Sequence, residues 1–352
     1  MKTETQSLKE QWRALLETEP KLRIRDAAQK LGVSEAELLA TRCGSDVIRL
    51  QGDWAELIKE FPRFGEVMCL TRNEYAVHER YGKFDEISFF GGPANMGQVV
   101  GPDIDLRLFM KSWHFGFAVT DATPEGPRKS LQFFDFDGTA VHKVYLQAES
   151  DHAAYDELVA KFRNDDQGET QVTGPVNNGH GGPTAEKPDS EVDVAGFRQA
   201  WLGMKDTHEF FILMRRFGLS RTQALRLAPE GYSRQVSNAS AKTMLETASA
   251  EKIDIMVFIG SSGCIQIHTG PVENIRMFGE EWLNVLDDKF NMHLRQSGVA
   301  ASWIVKKPTV DGAVTSLELY DANGENLVLF FGKRKPGHPE DPRWTALADS
   351  LA

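Results

Sequence analysis

Leu131-Gln132-Phe133-Phe134-Asp135-Phe136-Asp137-Gly138 returns 186 positions later as Leu317-Glu318-Leu319-Tyr320-Asp321-Ala322-Asn323-Gly324. Each stretch alternates in character and ends in Asp-Gly or Asn-Gly, the pattern of a strand running into a hairpin turn. Two further pairs keep nearly the same spacing. Asp105-Leu106-Arg107 matches His293-Leu294-Arg295 at an offset of 188, and Leu31-Gly32-Val33-Ser34 matches Phe217-Gly218-Leu219-Ser220 at 186. The Asp105 and His293 stretches each lead into an apolar strand and then a turn, Thr123-Pro124-Glu125-Gly126 or Pro308-Thr309-Val310-Asp311-Gly312. A near-constant offset at three separated places marks an internal duplication.

Each copy reads the same way. In the first, helices cover Leu8 to Ala40 and about Asp53 to Glu60, strands and hairpins run from Glu66 to Leu146, and a helix closes at His152 to Arg163. Helices segregated from antiparallel strands define an α+β class. Between the copies, Asn164 to Asp193 is rich in Gly, Pro, Asn and acid and reads as an exposed, mobile connector. The expected organisation is therefore a repeat over 1–163, a linker over 164–193 and a second repeat over 194–352.

Composition narrows the function. The 352 residues carry a formal net charge of −11, which works against broad nucleic-acid or anionic-membrane binding. No run of about 18 apolar residues is present, so no membrane insertion is expected. The polar start, Met1 to Glu10, lacks the apolar region of a signal peptide, so a cytoplasmic location is expected. Cys43, Cys69 and Cys264 are scattered and odd in number, and read as buried thiols in a reducing compartment.

Arg25 to Leu39 has the form of a helix-turn-helix, with a Gly turn and Ser34 spaced to cap with Glu37. Its second helix starts Glu35-Ala36-Glu37, the wrong sign to face phosphate, so a plain helical hairpin is expected and no nucleic-acid partner. The second copy repeats the hairpin with different chemistry. Asp206 and Glu209 have capping-box spacing, Gly218 suits the helix end, and Ser220 with Gln223 caps the next helix. This spacing predicts His208 in the first turn of a helix rich in Phe, Leu and Met. By the offset, Arg25 and Asp26 of the first copy become Phe211 and Ile212.

An apolar wall with an imidazole and nearby cations suits haem, whose iron takes a neutral imidazole and whose propionates take cations. His208 offers the imidazole, and Arg215, Arg216 and Arg221 the positive charge. Read bare, a histidine beside aromatics is also the mark of a packed core, and the residues alone leave both readings open. His78 and His268 hold matched places in the two copies and point to a shared structural role, a strand-end hydrogen bond. Trp113-His114-Phe115 is expected within a strand, with His114 structural. No nucleotide, zinc-protease, CxxC or nucleophile-elbow motif is present, and the Gly91 to Gly97 loop has no Lys to cradle a phosphate.

The chain resembles the bacterial cytoplasmic hemin transport and hemin-degrading factor family, the HemS/ChuS type. The resemblance rests on Trp201 to Leu227 with its Asp-Thr-His-Glu-Phe-Phe core, Trp303 to Gly312, and Phe330 to Gly337. Arg25 to Leu39 and Asp105 to Phe109 also fit, so that all but the linker is covered. It implies a pseudo-twofold fold of two large antiparallel sheets flanked by helices. It implies haem against the C-terminal copy with His208 as proximal iron ligand, and Arg107 of the N-terminal copy on the distal side as the catalytic residue. Arg221, Lys306 and Arg334 would hold propionates or frame the pocket. Glu209, Phe210 and Phe211 stand where some members carry further histidines, so ligand switching is not expected.

Members of such a family carry haem, open its ring with a reductant and O₂, or both. The resemblance therefore implies either a haem-degrading enzyme with an external electron donor and O₂, or a carrier without catalysis. A haem-responsive helix-turn-helix regulator is a third reading. Partners would be haem itself, an inner-membrane haem importer, and a reductase or downstream haem acceptor.

Overall fold

The structure, a computed structural model, describes residues 6–91, 95–175, 186–334 and 337–352. The middle of the Gly91–Gly97 loop, the centre of the connector and two residues of the Phe330–Gly337 segment lie outside the described residues. The chain divides into two compact units. One gathers Met1–Arg72, Glu79–Asn177 and Ser261–Gln266; the other gathers Asn73–His78, Asn178–Gly260 and Ile267–Ala352.

Most of the elements of the first unit are α1 (Leu8–Thr18), α2 (Ile24–Leu31), α3 (Glu35–Ala40), β1 (Val47–Leu50), α4 (Trp54–Ile58), β2 (Val67–Arg72), β3 (Ala76–Gly82), β4 (Ile87–Phe90), β5 (Met96–Val100), β6 (Asp105–Phe109), β7 (Phe115–Thr123), β8 (Gly126–Phe134), β9 (Ala140–Leu146) and α5 (His152–Phe162). The second run repeats that order: α6 (Val194–Leu202), α7 (Glu209–Phe217), α8 (Arg221–Arg226), β10 (Ser233–Val236), α9 (Ser240–Glu251), β11 (Ile255–Gly260), β12 (Cys264–Gly270), β13 (Ile275–Phe278), β14 (Trp282–Leu286), β15 (Phe290–Arg295), β16 (Ala301–Thr309), β17 (Gly312–Tyr320), β18 (Asn326–Gly332) and α10 (Pro342–Ser350). Each element therefore has a counterpart in the other run, and the described strands form two antiparallel sheets of nine. The α+β class and the duplication expected from the sequence are both present.

Pairing repeats as closely as order does. In the first unit β1 pairs β7, β7 pairs β8, β8 pairs β9 and β9 pairs β2, all antiparallel. In the second, β10, β16, β17, β18 and β11 follow the same path. A register shift falls between Phe133 and Phe134, and its twin between Leu319 and Tyr320, again 186 positions apart. Such bulges bend a strand at a set place.

The helical hairpins follow from their caps. Ser34 and Glu37 close a reciprocal capping box on α3, and Gly32 ends α2 in the left-handed region at φ +70. Glu35 is not turned to solvent as its position suggested. It is buried, with its carboxylate on Lys143 and Arg72. Burial pushes its pKa up, but Lys143 and Arg72 outweigh it and hold it down at about 2. The acid that argued against phosphate binding is thus a packing element. Trp113 and His114 also differ from expectation: they precede β7 rather than lie in it, with His114 beside the buried Asp135.

The connector's described flanks are held by hydrogen bonds rather than free. Arg49 donates to the carbonyls of Gly168 and Thr170, both at 2.8 Å. Near the other end, Gln223 and Arg226 both donate to Asp189, while Lys187 donates to the Phe217 carbonyl at 2.7 Å. All three cysteines are buried and free. Among the described residues no helix is long and apolar enough to cross a membrane.

The turn of the opening motif touches the helical hairpin, since the Ala36 N–H donates to the Gly138 carbonyl at 3.1 Å. This separates two substitutions. Gly32 and Gly138 both have positive φ, but a Cβ on Gly32 meets nothing within 4 Å, whereas one on Gly138 would lie 2.1 Å from Ser34 Oγ. Gly32→Ala should cost about 1–2 kcal/mol, the left-handed backbone term alone. Gly138→Ala should cost about 1 kcal/mol more, because it also dislodges the Ser34 cap. Urea unfolding of the two variants checks the order; equal costs would show that the turn does not bear on α3.

Candidate functional site

The site begins with a core. On α6, Trp201 is fully buried and donates from Nε1 to the Lys306 carbonyl at 3.1 Å. Its ring meets Phe210 of α7 edge-on at 4.8 Å, and Phe197 meets Phe217 at 5.6 Å. These contacts bury one face of α7, through Phe210, Leu213 and Met214.

Beneath that face lies a charge cluster. Glu318 of β17 is 0 % exposed and accepts from Lys307 Nζ at 2.6 Å, from Arg221 at 2.9 and 3.2 Å, from Ser316 at 2.8 Å, and from the Tyr320 hydroxyl. Arg221 also donates to the Tyr320 oxygen at 2.7 Å. Phe210 covers both cations, with Lys307 Nζ 4.7 Å and the Arg221 guanidinium 5.7 Å from its ring centre. Burial pushes the Glu318 carboxyl up, but Arg221 and Lys307 outweigh it and hold it well below the usual carboxylate range. Burial pulls Lys307 below the usual lysine value, against the pull of Glu318.

The opposite face of α7 is open. His208, Phe211, Ile212 and Arg215 follow at i, i+3, i+4 and i+7, which puts them on one side of a helix. His208 is 94 % exposed, Phe211 51 % and Ile212 63 %, and the Arg215 guanidinium stands 5.8 Å over the Phe211 ring. An imidazole, two apolar side chains and a cation thus face solvent together. Exposed apolar side chains grouped in this way make this face a candidate binding surface.

His208 lies at the N-cap of α7, one residue short of the predicted first turn. The capping box does not form. The Asp206 carboxylate is taken instead by His208, whose backbone N–H donates at 2.8 Å and whose Nδ1 lies 2.6 Å away on the same Oδ1. Glu209 reaches back only to the Lys205 N–H, at 3.4 Å. The His208 backbone bond, with smaller help from the ring and from Arg334, holds the Asp206 carboxyl below its usual value.

The other expected site residues lie as follows. Arg221 belongs to the buried Glu318 cluster. Lys306 faces away from its neighbour Lys307, as strand alternation requires, and pairs with Asp349 at 2.7 Å. Arg107 stands on β6 in the first unit, bonded to the Asp105 carboxylate and, at 3.1 Å, to the Leu106 carbonyl. Asp206 and His208 come together, and Arg221 joins Lys307 on Glu318. Sequence reading passed over Lys307, Glu318 and Tyr320. The sequence offered one signal, the Glu and Tyr within the repeated strand at 317–324 where the first copy has Gln132 and Phe134.

His78 and His268 are core residues. Both are buried against Phe290, His268 stacked on it at 3.9 Å and His78 tilted at 4.9 Å. His268 Nε2 also meets the Pro271 carbonyl at 3.1 Å, just past the end of β12.

A variant separates the buried cluster from the surface pair. Glu318→Gln should cost about 3–5 kcal/mol, because it leaves the buried Lys307 and the half-buried Arg221 without their carboxylate. Lys306→Ala should cost under about 1 kcal/mol, as for other exposed pairs. Because the folded Glu318 carboxyl titrates below the ordinary 4.5, its contribution is complete above that pH and is lost as pH falls below it. Urea unfolding at neutral and acid pH should therefore show a shallower acid loss in Glu318→Gln than in the parent.

The haemin-degrading HemS.ChuX domain family matches residues 32–162 and 218–351, and the two matches start 186 positions apart. The hemin transport protein HmuS of Yersinia pestis is 39% identical over 321 residues, 91% of this chain and 90% of that protein. The crystal structure of holo-PhuS, a heme-binding protein from Pseudomonas aeruginosa, is similar at 44% identity and a TM-score of 0.93, covering 98% of both chains. ChuS, described as an E. coli heme oxygenase, is similar at 35% identity and a TM-score of 0.86, covering 98% of this chain and 99% of that one.

Proposed function

The chain belongs to the haemin-degrading HemS.ChuX domain family of haem-binding, hemin-utilisation proteins, and from that premise we propose that it receives imported haem and carries it on the open face of α7. The stripe of His208, Phe211, Ile212 and Arg215 carries this reading. It offers iron an imidazole, the macrocycle an apolar bed and a propionate a cation. His208 is the proximal ligand, since Nδ1 is engaged by Asp206 and Nε2 is left to face outward. Arg334 is the cation best suited to a propionate, because Arg221 and Lys306 already hold Glu318 and Asp349; those two frame the site. An accessible ligand face suits transfer from an importer in the inner membrane to an acceptor.

One chain should take one haem, because the first copy has Arg25 and Asp26 where the second has Phe211 and Ile212. Titration with hemin checks this, and two equivalent tight sites would contradict it. His208→Ala should remove the axial nitrogen signature from the ferric spectrum, while His78→Ala and His268→Ala should keep it. Loose haem retention in His208→Ala is expected, so the readout is the ligation spectrum rather than binding alone.

A second reading is favoured by the likeness to a protein described as a heme oxygenase. Here haem is substrate, and ring opening with iron release draws on O₂ and an external electron donor such as a reductase. The hemin-loaded chain with ascorbate in air distinguishes the two. A Soret band that persists marks carriage, and its loss with release of iron marks turnover.

A further inference from the structure

The ring of His208 stands almost wholly in solvent, so packing does not orient it. Asp206 does. A single carboxylate oxygen, Oδ1, accepts the His208 backbone N–H at 2.8 Å and lies 2.6 Å from Nδ1. The loop is closed on itself by the Glu209 N–H on the Asp206 carbonyl at 3.1 Å and the Phe210 N–H on the Thr207 carbonyl at 3.2 Å. A carboxylate only accepts, so Nδ1 carries a proton, and in the neutral ring it is Nε2 that is left to bind a metal.

An imidazole whose N–H is bonded to a carboxylate gains negative character at the other nitrogen and becomes a stronger donor to a bound metal. Hydrogen bonding to an axial ligand is one of the levers by which a protein sets the potential of haem iron. Added negative charge at the ligand favours the higher-charged metal.

We infer that Asp206 is a positioning residue that makes the His208 site select ferric over ferrous haem. The inference rests on the proposal that His208 ligates the iron, and goes beyond it by naming the oxidation state the site prefers. The chain then holds haem in the form least ready to bind O₂, until an external electron donor reduces it.

The test uses the full chain loaded with hemin, as the parent and as Asp206→Asn, Asp206→Glu and His208→Ala. Two quantities are read: the midpoint potential of the bound haem by spectroelectrochemistry, and the iron–histidine stretching band of the ferrous form by resonance Raman. Asp206→Asn should raise the potential and lower the band frequency. The preference for ferric over ferrous haem should fall about tenfold, which for one electron is about 59 mV. Asp206→Glu, which keeps the charge, should recover part of both changes. The inference is overturned if Asp206→Asn leaves potential and band at parent values while His208→Ala removes the axial nitrogen. If His208→Ala keeps that nitrogen, the ligand assignment itself fails and the inference falls with it.

Discussion

Glu318, buried without exposure and surrounded by Arg221, Lys307, Ser316 and Tyr320, is the interaction on which the architecture of the site depends. A carboxylate taken out of water is costly unless charged donors surround it. Here they come from two elements: Arg221 opens α8, while Lys307 belongs to β16. The cluster therefore ties the helical hairpin to the sheet at one defined place. Phe210 lies over both cations, so the orientation of α7 about its own axis follows from where the charges are.

The first unit solves the same problem with the signs exchanged. Glu35 opens α3 at the place where Arg221 opens α8, and the cations Lys143 and Arg72 receive it. Lys143 sits 5.7 Å from the Phe134 ring, as its counterpart cluster sits under Phe210. A duplicated scaffold thus retains a buried ion cluster beneath its hairpin while the residues forming it change. We read the cluster as fixing the hairpin's seat rather than as adding net stability, in keeping with the small net value of buried ion pairs.

With one face of α7 secured, the other is available for chemistry. The change from Arg25 and Asp26 to Phe211 and Ile212 replaces a charged surface by an apolar one without disturbing the buried side, because i and i+1 project differently from i−1 and i+2 on a helix. The closed loop from Asp206 to Phe210 then sets an imidazole at the end of that apolar bed. Scaffold and site are separable, which is why one copy can be specialised and the other left polar.

What the sequence determined by itself was local or repeated. The duplication, the Ser34 and Ser220 caps, the glycine ends at Gly32 and Gly218, the hairpin turns and the contrast between Arg25-Asp26 and Phe211-Ile212 all depend on residues a few positions apart or on a constant offset. The importance of His208 was legible, though the residues alone left a ligand and a core histidine both open, and its exposure in the structure sets aside the core reading. Tertiary structure decided the rest. Lys306 and Lys307 differ by one position, and only strand register says which meets Glu318 and which meets Asp349. Arg221 is 97 residues from Glu318, and Glu35 is 108 from Lys143, so neither charge shows its partner in a linear reading. Asp206 had the spacing of a helix cap, yet the short reach of its carboxylate favours the backbone and ring two residues on, and the helix starts one turn position later. Local hydrogen bonds and periodicity are written in neighbouring residues; charge pairing inside a core depends on which faces the folded sheet and helices bring together.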